Sequence, residues 1–490
     1  DHVERKKKIL KNFKKICTSK NLKDFFNENL LEEVVNIVDD PNVLFIEFNK
    51  IYLDIPKEII ISTLQSNQRY FPLFDNKDKL TNFFLVVANK QDSKGLIKDG
   101  NKRVVEARLS DAKFFWDRDK SKNLIKQIGK LKKIIFYEKL GTVYDKTQRL
   151  RKLSSTISDE LNTNKEKMQI AASISKSDLC SDLVGEYPEL QGTMGKYFAL
   201  SQGFDEEVAT AVSDHYLPLG TSSPVPKKII SFSISIVDKL DSLAGFFLID
   251  EKPTSSKDPF ALRRAAIGIL RIIIENNLKI KVRDIISYSV RLLEEQGVEV
   301  KNINAEKEIL DFLKERMRNI LKQKSIQSDI IEASLSSHTG DNFLDLYKKN
   351  ILMNKYINKE IGKNVISSYK RASNIVDKED KGIKGMPDTV LFRQDEEKVL
   401  FEKINEIRKA FSVKEDKKNY ENLLIQLSEI KPFTNNFFDN VKVNDENNDI
   451  KNNRLELLKM LCNTFDIFVN FSKLEGFWWH RLYLTLMIKK

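Results

Sequence analysis

Residues 255–275 read SSKDPFALRRAAIGILRIIIE and predict the helical architecture of most of this chain. Apolar residues recur there at the three- and four-residue spacing of one helix face: Leu262, Ala266, Ile269 and Ile273. Asp258 is placed to cap such a helix, and Pro259 suits its first turn. We therefore expect an amphipathic helix that begins close to Asp258.

The same spacing returns twice near the C-terminus. One apolar face comprises Leu400, Ile404, Ile407 and Phe411, and a second comprises Leu455, Leu458, Cys462, Phe465 and Val469. Between them, residues 431–453, KPFTNNFFDNVKVNDENNDIKNN, show no clear periodicity. These patterns predict a small terminal helical bundle with a loop-rich insertion.

The first hundred residues carry strand signals as well. Residues 43–55, VLFIEFNKIYLDI, form two β-branched and aromatic runs around Asn49 and Lys50, which predicts a hairpin. A helix is expected after Pro56, and FFLVVAN at 83–89 is typical of a buried strand. The predicted fold class is therefore mainly α and multidomain, with a small mixed α/β module at the N-terminus.

Composition limits the classes of function. The 490 residues include 83 Lys plus Arg against 71 Asp plus Glu, a formal net charge of +12. This charge favours an anionic partner such as a nucleic acid, although a Lys-, Ile- and Asn-rich composition also follows from an AT-rich genome. Three cysteines without a CxxC pair exclude a zinc ribbon and indicate a reducing, cytoplasmic setting. No apolar stretch approaches the ~20 residues of a membrane helix.

Asp178, His215 and Asp238 lie on three successive helix-like segments. Carboxylates and an imidazole projected from helices are the ingredients of a metal-dependent phosphohydrolase. However, the chain has only four histidines, and Ser177 precedes Asp178 where a paired imidazole would be needed. The alternative, which we favour, is that these residues form buried hydrogen bonds without a metal.

Basic residues mark candidate RNA contacts. On the predicted helix, Arg264 and Arg271 share a face with Glu275, and Arg263 lies beside them. Guanidinium groups suit phosphate contacts, whereas an Arg271–Glu275 pair on a solvated face is the alternative. Residues 130–152 carry eight Lys or Arg against two acids, with aromatics interleaved, and residues 346–384 carry ten against four. Residues 130–152 are a candidate RNA contact, with aromatics packed in a core as the alternative, and a solvated helical face is the default interpretation of 346–384.

No Walker-type phosphate loop, GxGxxG, GxSxG or HExxH motif is present. From the residues alone we predict a basic, mainly helical protein that binds an anionic polymer and carries no catalytic residue of a familiar nucleotide-using kind.

Several long strings then resemble one family. They are TLQSNQRYFPLFDNKDKLTNFFLVVAN, GNKRVVEARLSDAKFFWDRD, SDLVGEYPELQGTMGKYFA, DHYLP, DKLDSLAGFF and SKDPFALRRAAIGILRI. In this order they closely resemble the β subunit of bacterial glycyl-tRNA synthetases, from about residue 43 to Gly476. The family's chain is longer at its N-terminus.

The resemblance implies a function. The family's β subunit binds and positions tRNA(Gly), and the α subunit uses ATP and Mg²⁺ to activate glycine, so no cofactor is expected on this chain. Two α and two β chains are expected to assemble. The alternatives are an HD-type metal-dependent phosphohydrolase and a non-enzymatic RNA-binding or assembly module.

The resemblance also implies a domain layout. It comprises the remainder of a mixed α/β region at 1–125, a degenerate HD-type helical domain at 126–250, a helical body at 251–388, an anticodon-binding helical bundle at 389–476, and an atypical tail at 477–490. Asp178, His215 and Asp238 match HD positions. Lys442, Asn453 and Arg454 are the predicted RNA contacts of the bundle.

Overall fold

The computed structural model describes residues 1–24, 27–254, 256–336, 341–379, 382–411 and 419–474. Contacts divide them into two compact units. Unit 1 comprises Asp1–Pro218, Pro226–Asp241 and Leu292–Val298. Unit 2 comprises Leu219–Val225, Ser242–Arg291 and the described residues from Glu299 onward. The tail at 477–490 lies outside the described residues.

Helices dominate the described chain, as predicted. They are α1 (His2–Lys20), α2 (Glu28–Ile37), α3 (Lys57–Ser62), α4 (Leu96–Lys120), α5 (Leu124–Ile128), α6 (Val143–Leu161), α7 (Lys165–Ile174), α8 (Asp182–Glu186), α9 (Thr193–Ser201), α10 (Glu206–Asp214), α11 (Ile229–Leu248), α12 (Leu262–Glu275), α13 (Val282–Glu295), α14 (Ala305–Gln323), α15 (Ser328–Leu335), α16 (Phe343–Tyr356), α17 (Glu360–Val376), α18 (Asp395–Phe411), α19 (Tyr420–Ser428), α20 (Lys431–Asn440) and α21 (Asn448–Asp466). No described helix is long and apolar enough to span a bilayer.

The strands are few and lie in unit 1. They are β1 (Lys23–Asp24), β2 (Asn42–Glu47), β3 (Phe71–Phe74), β4 (Leu80–Ala88), β5 (Ile135–Tyr137) and β6 (Gly141–Thr142). The first four form an antiparallel sheet in the order β1-β3-β4-β2, and β5 pairs with β6. The predicted buried strand corresponds to β4, one of the two interior strands of this sheet.

The hairpin predicted at 43–55 is wrong. Strand β2 pairs with β4, in a register that places Asn42 opposite Ala88. After it, the side chain of Asn49 accepts a hydrogen bond from the backbone N–H of Ile51 at 3.1 Å and starts a 3₁₀ turn over Lys50–Asp54. A local side-chain cap thus turns the second β-rich run away from the sheet.

Helices α1 and α2 cover the sheet with a continuous apolar layer. Its fully buried members include Ile9, Phe13, Leu31, Val35, Phe71 and Leu85. The rings of Phe13 and Phe71 meet edge to face, with centroids 4.8 Å apart. This layer gives the N-terminal module a core of its own.

In unit 2, helix α12 begins later than the sequence predicts. It starts at Leu262, because Ala261 before it has a left-handed backbone (φ 55°). Asp258 still caps it: its carboxylate oxygens accept the N–H groups of Leu262 at 2.8 Å and Arg263 at 3.0 Å. The predicted apolar face is buried as expected. The capping function of Asp258 is confirmed, with a three-residue offset.

The C-terminal helices α17–α21 form a bundle in which both predicted apolar faces are buried. The segment expected to be irregular is mostly helical, since α20 spans Lys431–Asn440 and α21 begins at Asn448. Phe437 on α20 is fully buried, although the sequence around it shows no apolar repeat. Thr434 is the other buried residue of α20, and its hydroxyl donates to Ser368 on α17 at 3.3 Å.

Candidate functional site

The degenerate HD positions lie at the centre of unit 1. Asp178 is on the 3₁₀ turn Ser177–Cys180, His215 follows α10, and Asp238 is on α11. All three side chains are buried. As predicted, they are engaged in hydrogen bonds and ion pairs inside a helical core.

His215 and Asp238 are joined by a lysine. The ammonium nitrogen of Lys176 lies 2.8 Å from His215 Nε2 and 3.1 Å from Asp238 Oδ2. His215 Nδ1 lies 2.8 Å from the carbonyl of Val212, so Nδ1 carries the proton and Nε2 accepts from the lysine. Burial, reinforced by the neighbouring ammonium, lowers the pKa of His215 well below its usual value, so the imidazole is neutral.

Asp238 connects this pair to a second set of buried charges. Lys146 Nζ lies 3.0 Å from Asp238 Oδ1 and 3.1 Å from Asp241 Oδ2. Arg149 binds both oxygens of Asp241, at 2.7 and 3.0 Å, and reaches Gln296 at 2.6 Å. Burial alone would raise the pKa of Asp238, but the two adjacent ammonium groups hold it well below its usual value. We call Lys176, His215, Asp238, Lys146, Asp241 and Arg149 the buried charge cluster.

Asp178 has different surroundings. Its Oδ2 accepts the backbone N–H groups of Gly192 at 2.6 Å and Gly195 at 3.0 Å. Its Oδ1 has no hydrogen-bond partner among the described residues, and the same holds for Ser177 Oγ and Gln127 Oε1. All three residues line one small cavity. Burial raises the pKa of Asp178 to about 6 despite the two N–H donors.

Close packing fixes the position of the Asp178 carboxylate. A Cβ on Gly195 would lie 2.6 Å from Val212 Cγ1 and 3.0 Å from Asp178 Oδ2, so only glycine fits there. The N-terminus of α9 therefore presents the N–H groups of Gly192 and Gly195 directly to the carboxylate.

The site does not fit a metal ion. Within the described ranges, no group of three or more His, Cys, Asp and Glu side chains could hold one. Asp178 faces backbone N–H groups, and the acceptors of His215 and Asp238 are occupied by Lys176. The arrangement offers no open position at which a metal could activate water.

Sequence reasoning missed the cations of this cluster. Lys176 lies two residues before Asp178, and Lys146 and Arg149 are one helical turn apart on α6. Both residues of α6 belong to the basic segment 130–152, where they balance buried carboxylates. The remaining basic residues of that segment are exposed: Lys130, Lys132, Lys133, Lys139, Arg151 and Lys152.

The three predicted arginines of α12 differ in their surroundings. Arg271 donates to Glu275 at 2.9 Å and to the carbonyls of Gly220 and Thr221 at 3.1 and 3.0 Å. The predicted alternative, an Arg271–Glu275 pair, is therefore present. Arg263 donates to the carbonyl of Thr254.

Arg264 is exposed, and it has no hydrogen-bond or ion-pair partner in the described part of the chain. It is the best placed of the three arginines to meet an external phosphate. RNA contact at these positions stays a prediction.

In the bundle, Arg454 is enclosed. Its guanidinium donates to Glu397 at 3.0 Å, to Asp445 at 2.8 Å and to the carbonyl of Lys442 at 2.8 Å, and the residue is 3% exposed. Asn453 is also buried and exchanges two hydrogen bonds with the backbone of Asp388, at 2.6 and 2.9 Å. Of the three predicted contacts, only the Lys442 side chain is exposed to solvent.

A different surface of the bundle combines cations with aromatic rings. The guanidinium of Arg371 on α17 lies 4.4 Å from the ring centroid of Phe438 on α20, and Lys403 Nζ on α18 lies 5.9 Å from the ring of Phe433. Helix α20 also carries two exposed amides, Asn435 and Asn436. We call these six residues the α20 face. The sequence does not predict the α20 face, because residues 431–453 show no clear periodicity.

Comparison with known proteins matches two parts of the chain to known families. Residues 1–336 match the family described as the glycyl-tRNA synthetase beta subunit. Residues 365–468, which include the α20 face, match the DALR anticodon binding domain.

Several relatives match over most of the chain. The glycine–tRNA ligase beta subunit of Clostridioides difficile (strain 630) is 36% identical over 477 residues, which are 97% of this chain and 68% of the relative. That of Rickettsia africae (strain ESF-5) is 37% identical over 449 residues, or 91% and 65%, and that of Janthinobacterium sp. (strain Marseille) is 34% identical over 457 residues, or 93% and 64%.

The chain thus spans about two thirds of the length of these relatives. The match to the family extends over residues 1–336, more than half of the chain, and the relatives agree with it. This chain therefore belongs to the glycyl-tRNA synthetase beta subunit family.

Proposed function

We propose that this chain is a tRNA-binding part of a glycine–tRNA ligase β subunit. In this function it binds tRNA(Gly) and positions it, while a separate α subunit activates glycine with ATP and Mg²⁺ and charges the tRNA. The family match and the names of the relatives support this assignment. Correct placement of a reacting end can lower a barrier by roughly 7 to 11 kcal/mol in well-oriented cases.

The observation that carries the proposal is the α20 face. It lies within the residues that match the anticodon binding domain. Arg371 and Phe438 form a cation–aromatic pair, and exposed amides stand beside it. Unstacked loop bases are recognised by stacking on aromatic or guanidinium planes and by hydrogen bonds to their edges. An anticodon loop presents such bases.

Exposed cations supply the phosphate contacts of this proposal. Arg264 on α12 and Lys442 after α20 are both exposed in unit 2. Arginine and lysine contacts to phosphates fix the register of a nucleic acid without reading its sequence. In contrast, Arg454 and Asn453 act on RNA only by holding the bundle in shape.

The wider assembly is part of the same proposal. The β-subunit name of the relatives implies an α subunit, and we propose two α and two β chains that act in the cytoplasm. No ATP or Mg²⁺ is assigned to this chain.

Equilibrium binding of the chain to a tRNA(Gly) transcript tests the proposal. A transcript with an altered anticodon serves as the matched control, and both are measured at two salt concentrations. We expect tighter binding of tRNA(Gly), and a loss of affinity for both RNAs as salt rises, because phosphate counterions are released on binding. Equal affinity for the two transcripts would contradict anticodon reading by the α20 face.

Coexpression with the α subunit tests the assembly. Copurification and glycine charging by the pair are expected. An RNA-binding chain that neither copurifies with nor activates the α subunit would instead be the non-enzymatic RNA-binding module considered above.

A further inference from the structure

We propose that the ammonium group of Lys176 is a built-in replacement for a metal ion at the centre of unit 1. An imidazole nitrogen and a carboxylate oxygen, His215 Nε2 and Asp238 Oδ2, converge on its Nζ at 2.8 and 3.1 Å. These two atom types are the usual protein ligands of divalent transition metals. The chain itself places a cation at the point where they meet.

A second ammonium completes the arrangement. Lys146 Nζ lies 3.0 Å from the other oxygen of Asp238 and 3.1 Å from Asp241. Asp238 therefore bridges two cations that both belong to the chain. Asp241 is in turn held by Arg149, whose guanidinium donates to both of its carboxylate oxygens.

Burial explains why a cation is required there. Asp238 is 9% exposed and Lys176 is 6% exposed. A buried carboxylate is very unfavourable without a compensating charge and hydrogen bonds. Lys176 also lies 4.0 Å from the ring centroid of Tyr216, whose face attracts a cation. A divalent ion beside this ammonium would meet both repulsion and occupied acceptors.

The replacement has a chemical consequence. An ammonium ion neutralises the acceptors and orients them, but it has no vacant coordination position that lowers the pKa of bound water. The cluster therefore has a structural function, because Lys176 connects His215 at the end of α10 to Asp238 on α11. It cannot perform metal-assisted phosphoester hydrolysis.

The proposal predicts that removal of the amine opens a metal site. In full-length Lys176→Ala, His215 and Asp238 keep their acceptors and lose the cation between them. We expect a lower thermal midpoint than that of the wild type, and recovery of several degrees on addition of Mn²⁺, since a ligand that binds the folded state raises stability. Ethylammonium, which restores the missing amine, should also raise the midpoint.

Lys239→Ala is the matched control. Lys239 is a partly buried lysine, and its Nζ faces the carbonyls of His215 and Leu217 at 3.1 and 2.8 Å and the hydroxyl of Ser235 at 2.8 Å. Removal of Lys239 leaves Lys176 in place between His215 and Asp238, so it frees no imidazole–carboxylate pair for a metal ion. This variant should lose stability without any gain from Mn²⁺, and wild type should show no Mn²⁺ response.

Three outcomes would overturn the proposal. The first is stoichiometric Mn²⁺ binding by wild type in an electron paramagnetic resonance titration. The second is a Mn²⁺ response of Lys176→Ala that does not depend on the proposed ligands. It would either be no larger than the response of Lys239→Ala or persist in the double variant Lys176→Ala/His215→Ala. If Lys176→Ala does not fold unaided, its refolding yield with and without Mn²⁺ replaces the midpoint, and a yield that Mn²⁺ does not change is the third.

Discussion

Two regions of this chain pair cations with aromatic rings in opposite surroundings. In unit 1, Lys176 lies 4.0 Å from the ring of Tyr216 and is 6% exposed. In the bundle, Arg371 lies 4.4 Å from the ring of Phe438, and its side chain is 45% exposed. The first cation is enclosed by acceptors of its own chain, whereas the second has long contacts to Asn435 and Asp439, at 3.4 and 3.5 Å, and is otherwise open to solvent.

The difference shows that burial, rather than residue type, separates structural cations from recognition cations. A buried charge must be matched by the protein, and breaking such a pair typically costs about 3–5 kcal/mol. An exposed ion pair contributes about 0–1 kcal/mol, so an exposed cation can exchange its partner for an external phosphate or base at little cost. The predictions below test this distinction.

Asp241→Ala should have the largest effect. It leaves Lys146 and Arg149 facing each other in a buried site, and we expect the free energy of unfolding to fall by about 3–5 kcal/mol. Chemical denaturation followed by circular dichroism measures this loss. Glu299→Ala, which removes an exposed partner of Lys301, is the control and should change stability by less than about 0.5 kcal/mol. Equal effects of the two variants would contradict the distinction.

Arg454→Ala compares two arginines of one bundle. Removing it leaves the buried Glu397 carboxylate without its cation, and we expect a loss of about 3 kcal/mol in unfolding free energy. At temperatures where the variant is folded, its affinity for tRNA(Gly) should equal that of wild type. A tRNA affinity that falls while the unfolding midpoint stays constant would instead support direct RNA contact by Arg454.

Asp178→Asn should remove a pH dependence. The pKa of Asp178 is about 6 in the folded chain and near 4 when unfolded, so the folded state holds an extra proton between these values. This stability is present at low pH and is lost as pH rises through 6, a change of roughly 1–3 kcal/mol.

In Asp178→Asn, the amide oxygen can still accept from Gly192 and Gly195, and the amide nitrogen can donate toward the unpartnered oxygens of Gln127 and Ser177. Thermal midpoints of both proteins at pH 5 and pH 7.5 measure the effect. The variant should be the more stable protein at pH 7.5, and an unchanged pH dependence would exclude Asp178 as its source.

Arg371→Ala should have the smallest effect on stability and a clear effect on RNA. Since its side chain is exposed, unfolding free energy should change by less than about 0.5 kcal/mol. Loss of the stacking plane should weaken tRNA(Gly) binding by about 1–2 kcal/mol, or roughly tenfold. Filter binding beside Lys165→Ala, a lysine of unit 1 whose side chain is 50% exposed, gives the comparison. Equal losses in both variants would indicate non-specific charge effects.

Sequence periodicity predicted the apolar faces of α12, α18 and α21, because a helix face must repeat every three or four residues to reach a core. It failed at 43–55 and 431–440. In the first case an asparagine cap redirects the chain, and in the second Thr434 and Phe437 are the buried residues of a helix without an apolar repeat. Isolated contacts of this kind produce no apolar periodicity in the sequence.

The sequence by itself determined the mainly helical class, the basic charge, the family strings and the positions Asp178, His215 and Asp238. Tertiary structure alone decided which cations remain available. Lys146, Arg149 and Lys176 are drawn from distant segments to buried carboxylates, and Arg454 is enclosed, whereas Arg371 stays exposed. The physical reason is that charge pairing in a low-dielectric interior depends on distance in space, which residue spacing along the chain does not fix.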